Sequence, residues 1–330
     1  MKETLLCCRI TAQEKGLYRL CHDGVEQAAQ VSGKFQYEAL GPSDYPTVGD
    51  EVLADLNGGG QAVIHKVLPR KSLFLRKAAG TAREEQPVAA NVDILFLCMA
   101  LNNDFNLRRL ERYLAAAWNS GATPVVVLTK ADLCGNPSKK VAAVEEAAPG
   151  TDVLLTSAAQ EDGIRPLLPY LTPGRTVAFV GSSGVGKSTL MNGLLGKEIL
   201  ATGGLRNDDR GRHTTTRRQM FFLPGGAALI DTPGMRELGL WDSESGLETA
   251  FADIEALARQ CRFQDCRHEK EPGCAVRAAL ASGELSEERF RSWQRLSAEN
   301  RYADDRAAHM SAKEKKFRMI AQFNKSNSKR

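Results

Sequence analysis

Eight consecutive residues carry the strongest chemical signal in the chain: Gly181-Ser182-Ser183-Gly184-Val185-Gly186-Lys187-Ser188, followed by Thr189. Their spacing is G-x-x-x-x-G-K-[ST], that of a loop that cradles phosphate. Glycines leave room for the backbone to wrap an anion, and free N–H groups at a helix N-terminus supply positive potential. Lys187 is placed to reach the β- and γ-phosphates, and the Ser188 hydroxyl to ligate Mg²⁺. Further along, Asp231-Thr232-Pro233-Gly234 follows the apolar run Ala227-Ala228-Leu229-Ile230. An acid at a strand end is the expected metal-associated carboxylate, with the Gly234 N–H at the γ-phosphate.

A second pair of signals reads a base. Thr129-Lys130-Ala131-Asp132 ends the apolar run Pro124–Leu128 and fits the [N/T]-K-x-D pattern that reads guanine. The Asp132 carboxylate can accept from both N1–H and N2–H₂ of guanine, whereas adenine offers no such pair. The Lys130 stem would cover the base face. Ser157-Ala158 closes the next apolar run and offers a backbone N–H to guanine O6. The base-reading motifs precede the phosphate loop, the reverse of the usual order. Parallel strands that share one crevice at their C-terminal ends still let them converge, so the chain reads as circularly permuted.

Cys261-x₄-Cys266-x-His268-x₅-Cys274 is a Cys₃His set with the spacing of a tetrahedral Zn²⁺ site, and Pro272-Gly273 supplies the turn back. Four protein ligands leave no open position, so the expected role is one structural zinc that staples a small module. The other cysteines, at 7, 8, 21, 98 and 134, are scattered. They make no disulfide framework, and a reducing cytoplasm is the expectation.

Three kinds of segment must position these groups. Residues 1–87 read as short strands (Thr4–Ile10, Leu17–Leu20, Tyr37–Leu40, Glu51–Leu56 and Gln61–Leu68) with Gly-rich turns, the pattern of a small β-barrel. Residues 88–243 alternate buried strands with helices. The strands are Val92–Met99, Pro124–Leu128, Asp152–Thr156, Thr176–Val180 and Gly226–Ile230; the helices are Asn106–Asn119, Lys139–Ala148 and Ser188–Leu195. That is a doubly wound α/β domain. Residues 244–330 read as a charged helical module with the metal cluster near its start. With 42% hydrophobic and 25% charged residues, the 330-residue chain has an ordinary globular composition. It shows no long apolar run and no secretory leader, so neither a membrane span nor export is expected. The net charge of +4 is uneven: Lys313–Arg330 holds seven Lys or Arg against one Glu, and Ile64–Arg83 holds six with no acid. Two basic segments on a near-neutral body suggest a polyanionic partner.

Barrel, permuted motifs and Cys₃His cluster together resemble the RsgA/YjeQ family of circularly permuted GTPases, which assist assembly of the small ribosomal subunit in bacteria. The resemblance covers nearly the whole chain. It implies an OB-fold-like barrel, a GTPase domain and a helical zinc module. In the family, the segment between phosphate loop and metal Asp carries G-x-H-T-T-T, here Gly211-Arg212-His213-Thr214-Thr215-Thr216. The resemblance implies that Thr215 or Thr216 closes over Mg²⁺ and the γ-phosphate, Thr215 being taken as the magnesium ligand. Met235 stands where Ras-like enzymes have a Gln that orients water. A thioether cannot do so, which predicts slow intrinsic hydrolysis completed by a partner, with His213 the candidate within the chain for positioning water. Lys187, His213 and Thr215 are then the catalytic set. The implied partners are GTP and GDP, the small subunit and its rRNA, on a monomeric, membrane-free protein. A rival reading is an RNA-binding assembly factor in which guanine nucleotide is only a structural ligand. A P-loop ATPase or kinase is disfavoured by Thr129–Asp132.

Overall fold

A computed structural model describes residues 5–14, 16–56, 60–77, 85–102, 104–200, 218–232 and 244–301. The chain forms two compact units, Met1–Gly239 and Leu240–Arg330.

The first unit begins with five strands, β1 (Leu6–Glu14), β2 (Leu17–His22), β3 (Val25–Val31), β4 (Glu51–Asp55) and β5 (Ala62–Val67). β1–β2–β3 is an antiparallel meander, β3 runs parallel to β5, and β4 pairs with both β5 and β1, which closes the barrel. Closure removes the free edges that a small sheet would expose. Alternate side chains fill the interior, among them Ile10, Leu20, Val31, Val52 and Ile64.

Two segments depart from the sequence reading. Val25–Val31, which the turn at His22-Asp23-Gly24 leads into, is a strand. Tyr37–Leu40 is not one: the chain forms helix α1 (Gly33–Glu38) there. Ser32 explains this, since its Oγ accepts the Phe35 N–H at 3.1 Å and caps the helix. The β preference of Tyr37 loses because the residue is 92% exposed and has no sheet partner to pack on.

A hairpin of β6 (Leu73–Lys77) and β7 (Glu85–Ala90) leads into the α/β part. There β8 (Ile94–Ala100), β9 (Thr123–Thr129), β10 (Val153–Leu155), β11 (Thr176–Val180) and β13 (Ala228–Asp231) are parallel in the order β10-β9-β8-β11-β13. β12 (Arg218–Phe222) is antiparallel beside β13. Every residue of β8 is buried, as a central strand covered on both faces requires. Phe96 and Phe179 meet edge to face at 5.2 Å in the core. Helices α2 (Leu107–Asn119), α3 (Pro137–Ala147) and α4 (Lys187–Leu195) make the crossovers. Asn106 and Asn136 cap α2 and α3 through their side-chain oxygens. The chain order thus delivers β9, β10, β11 and β13, the strands that end in the four motifs, side by side with β8.

Barrel and α/β sheet are continuous. β1 pairs with β12, Ala12 opposite Gln219 and Gln13 opposite Arg218, so eleven of the described strands form one sheet. Arg9 of β1 also donates to Thr176 Oγ1 of β11 at 2.9 Å.

The second unit contains α5 (Glu244–Ala250), α6 (Ala252–Ala258), α7 (Ala275–Ser282) and a helix over 287–301. Leu247, Phe251, Ile254, Val276, Phe290 and Leu296 are its buried core. Arg289 grips Asp253 through two bonds of 2.6 and 2.7 Å and lies over the Phe251 ring. Among the described residues, no helix is long and apolar enough to cross a membrane.

Candidate functional site

β11 runs straight into the phosphate loop, and α4 starts at Lys187 with Gly186 as its N-cap. The glycines are structural necessities. Gly181, Gly184 and Gly186 have φ of +155°, +80° and +102°. At Gly181 a Cβ would lie 2.4 Å from the Cys98 carbonyl oxygen, so β8 and the loop pack with only backbone between them. Burial pushes the Cys98 thiol up to about 12, so it serves as packing under the loop.

Lys187 folds back across the loop. It is 8% exposed, and its Nζ donates to the carbonyls of Gly181 at 2.7 Å and Ser182 at 2.8 Å. Burial lowers its pKa, against the opposing pull of Cys98, Asp231 and Asp104. Asp231 ends β13, with Phe179 of β11 as its register partner, and burial raises its pKa while Lys187 opposes this. Phosphate loop, lysine and acid therefore share one end of the sheet, with the lysine and the acid close enough to perturb each other. Ser188 is half-buried in the first turn of α4, and Thr189 is exposed beside it.

The base-reading segments meet this loop directly. Thr129 Oγ1 donates to Val185 O at 2.5 Å, and Lys130 Nζ donates to Gly184 O at 2.7 Å. Lys130 sits in the left-handed region, φ +57°, which turns the chain back at the end of β9. Asp132 Oδ1 accepts from Ser157 Oγ at 2.5 Å, and Ala131 N–H donates to Thr156 O at 3.1 Å. Segments 129–132, 157–158 and 181–188 are thus joined by side-chain and backbone bonds. The Ser157 N–H is taken by Gly163 O at 3.0 Å, which leaves the Ala158 N–H as the one that can face a ligand.

Three residues at this site belong to none of the motifs. Asp104, in the loop after β8, accepts from Ser182 Oγ at 3.1 Å and pairs with Arg109 at 2.8 Å. Arg109, on the first turn of α2, also donates to the Asp104 carbonyl. A Cβ on Gly163 would fall 1.8 Å from Ser157 O, so only glycine lets the 157–158 loop close. Their one sequence signal is position, at or just beyond the C-terminal ends of parallel strands. His213, Thr215, Thr216, Gly234 and Met235 lie outside the described residues, as does the Lys313–Arg330 tail.

In the second unit, Cys261, Cys266, His268 and Cys274 offer ligand atoms that all lie within 4.8 Å of one another. His268 Nδ1 is 3.6 Å from Cys261 Sγ and 3.4 Å from Cys274 Sγ, and the two sulfurs are 3.8 Å apart. A tetrahedron of metal–sulfur bonds of about 2.3 Å has edges of about 3.8 Å, so the set fits a metal the size of zinc. Local chemistry builds it. His268 is left-handed at φ +61° and Gly273 at φ +75°. The Glu271 carboxylate accepts the N–H groups of Arg267, Glu269 and Lys270 at 3.0, 2.9 and 3.0 Å, and backbone N–H groups, its own first and then that of Arg267, hold it down at about 2. Cys274 caps α7 through its sulfur. Burial lowers the His268 pKa, which favours the neutral imidazole that binds metal. Trp293 meets the His268 ring edge-on at 5.6 Å and donates to Glu255 at 3.1 Å.

A closed five-stranded barrel continuous with a permuted P-loop sheet, with guanine-type and phosphate loops bonded together at one sheet end, defines a circularly permuted GTPase. The RsgA GTPase family model matches residues 67–241. Small ribosomal subunit biogenesis GTPase RsgA 2 of Lactiplantibacillus plantarum is 50% identical over 89% of this chain and 83% of its own length. The RsgA of Methanosarcina acetivorans is 45% identical over 93% and 82%. Among solved structures, YjeQ from Thermotoga maritima superposes with a TM-score of 0.66 at 27% identity, covering 89% of this chain and 97% of that one. The circularly permuted GTPase YloQ shares the fold, with a TM-score of 0.62 at 23% identity over 92% and 96%. The chain belongs to the RsgA GTPase family and is a GTP hydrolase of ribosome biogenesis. An ABC transporter model also matches, over residues 167–329, a span that includes the phosphate loop but not Thr129–Asp132.

Proposed function

We propose that the protein is a ribosome-stimulated GTPase that binds the small ribosomal subunit and assists its late maturation. The observation that carries this is the bonding of Thr129 and Lys130 to the phosphate loop at Val185 and Gly184. It supports reading the guanine-type and phosphate loops as two ends of one nucleotide site. Asp132 reads N1–H and N2–H₂, the Lys130 stem covers the base, and the Ala158 N–H bonds O6. Residues 181–189 wrap the phosphates. On phosphate entry, the Lys187 ammonium exchanges its two carbonyl acceptors for β- and γ-phosphate oxygens, which are stronger acceptors. Ser188, Asp231 and Thr215 or Thr216 are the oxygen groups that would hold Mg²⁺, an ion that supplies charge neutralisation between the β- and γ-phosphates. By the motif, the Gly234 N–H would sense the γ-phosphate. With Met235 in the water-orienting position, His213 positions the water once the subunit completes the site. Barrel 1–87, GTPase 88–243 and zinc module 244–330 are the working parts, acting as a cytoplasmic monomer. The barrel and the basic tail supply the rRNA contacts, and GTP hydrolysis releases the subunit.

The test is GTP turnover with and without purified small subunits across a salt series. Stimulation that fades as salt rises is expected. An unchanged rate on adding subunits favours instead the reading in which nucleotide is a structural ligand.

The Cys₃His cluster is read as one structural Zn²⁺ per chain. Cys266→Ala should abolish stoichiometric zinc in elemental analysis and loosen the second unit, while GTP binding by the first unit persists. Because Trp293 abuts His268, chelation of the wild type should also shift tryptophan emission. Wild-type metal content in the variant would refute the ligand assignment.

A further inference from the structure

One acid beside the phosphate loop has no part in reading the base or in holding Mg²⁺: Asp104, between β8 and α2. Its Oδ2 accepts from Ser182 Oγ at 3.1 Å and from Arg109 Nη2 at 2.8 Å, so a single oxygen ties the phosphate loop to the first turn of α2. Oδ1 stands 3.5 Å from the same hydroxyl. Arg109 also donates to the Asp104 carbonyl, and the Asp104 N–H donates to Asn102 Oδ1 at 3.0 Å. Asn106, the α2 N-cap, accepts the Arg109 N–H at 3.0 Å. From α3, Lys140 donates to Leu101 O at 3.0 Å and lies 5.1 Å from the centre of the Phe105 ring. The carboxylate is therefore fixed before any ligand arrives.

Ser182 receives a second hold from α2. Tyr113 lies one turn beyond Arg109, is buried, and hydrogen-bonds the Ser182 side chain. A carboxylate only accepts, so the Ser182 proton goes to Asp104 and the Tyr113 O–H is the donor to Ser182 Oγ. The bonds run from Tyr113 through Ser182 to Asp104, and Arg109 balances the charge at their end. Ser182 is itself buried, and its carbonyl is one of the two that hold Lys187, at 2.8 Å. An acid of one loop and two side chains of one helix thus fix the residue on which the lysine rests.

We propose that Asp104 is a positioning residue for GTP hydrolysis, acting through Ser182 to hold the phosphate loop and Lys187 in the arrangement that meets a triphosphate. This role rests on the reading of residues 181–189 as the phosphate cradle. Its effect falls on the rate of hydrolysis more than on nucleotide affinity. The loop donors and the lysine matter most where charge develops on the γ-phosphate, whereas GDP affinity also draws on the base contacts. A misplacement of about 1 Å costs a reaction up to about 10²-fold.

The experiment is single-turnover GTP hydrolysis by the full chain, beside calorimetric titration with GDP for affinity and number of sites. Asp104→Ala and Ser182→Ala are each expected to slow hydrolysis about ten- to hundredfold while changing GDP affinity by less than about threefold. The double variant should be no slower than the slower single, because both changes remove the same link. Asp104→Asn should recover most of the rate, since an amide oxygen at the Oδ2 position accepts from both Ser182 and Arg109. Ser182→Ala keeps the test open if Asp104→Ala, which takes the carboxylate from Arg109, fails to fold. Rates that fall only in step with the number of GDP sites, losses that add in the double variant, or an Asp104→Asn variant as slow as Asp104→Ala each overturn the proposal. Lys187→Ala, run in parallel, separates this role from the reading beneath it. If it slows hydrolysis while Asp104→Ala and Ser182→Ala do not, the positioning role alone falls. If it leaves hydrolysis unchanged, the cradle reading falls and the positioning role with it.

Discussion

Asp132→Asn is expected to lower GTP affinity by about 10²–10⁴-fold while leaving the fold intact. The range follows from two charge-assisted hydrogen bonds at about 1.5–3 kcal/mol each. A carboxylate accepts at both oxygens, whereas an amide accepts at one and presents an NH₂ at the other. Facing guanine, that NH₂ meets a donor with a donor. Xanthine carries a carbonyl where guanine carries its 2-amino group, so the variant should recover part of its affinity with xanthosine triphosphate. The fold is expected to survive because the Asp132 contact within the site, the Ser157 hydroxyl at 2.5 Å, can be accepted equally by the asparagine oxygen. Competition binding with GTP, ATP and xanthosine triphosphate reads the effect. Undiminished GTP selectivity in the variant would show that the base lies elsewhere.

The phosphate loop could be read directly from the chain because each of its residues has a chemical reason that no neighbour supplies. Three glycines hold left-handed or extended-positive backbone, and one lysine spans the loop. The strands behind it were legible because burial on both faces leaves an unbroken apolar run, as in Ile94–Ala100 and Thr176–Val180. What stayed hidden depends on distant partners. Nothing local in Gln13 or Arg218 announces that β1 and β12 pair and merge two sheets. Asp104 looks like any loop acid until the fold sets it 3.1 Å from Ser182. Gly163 looks like a surface turn residue until Ser157 O is found where its Cβ would be. α1 differs for another reason: Tyr37–Leu40 reads as a short strand, while Ser32 upstream caps a helix over Gly33–Glu38. Motif chemistry was visible in one dimension, and the groups that align the motifs were not.

Lys187→Ala is expected to cut GTP turnover by about 10²–10³-fold, the scale seen when one preorganised charge that meets a developing anion is removed. Without a phosphate, Lys187 is a buried cation held by two carbonyl oxygens, and burial lowers its pKa below the unfolded value of about 10.4. Between the two values the unfolded chain binds more protons than the folded one. Stability of the nucleotide-free protein therefore rises with pH across that window and levels off above about 10.4. The variant lacks this alkaline gain. It also strips Asp231 of its opposing charge, so burial should raise the Asp231 pKa further. A raised carboxyl pKa works in the other direction, with stability present below about 3.9 and lost as pH climbs through the folded value. Denaturant melts of wild type and variant at several pH values, run beside single-turnover hydrolysis, separate the two contributions. Lys187 bonds only carbonyl oxygens until a triphosphate arrives, so GTP should raise the melting temperature of the wild type well above that of the variant. Equal turnover, or equal stabilisation of both proteins by GTP, would mean that the lysine does not meet phosphate.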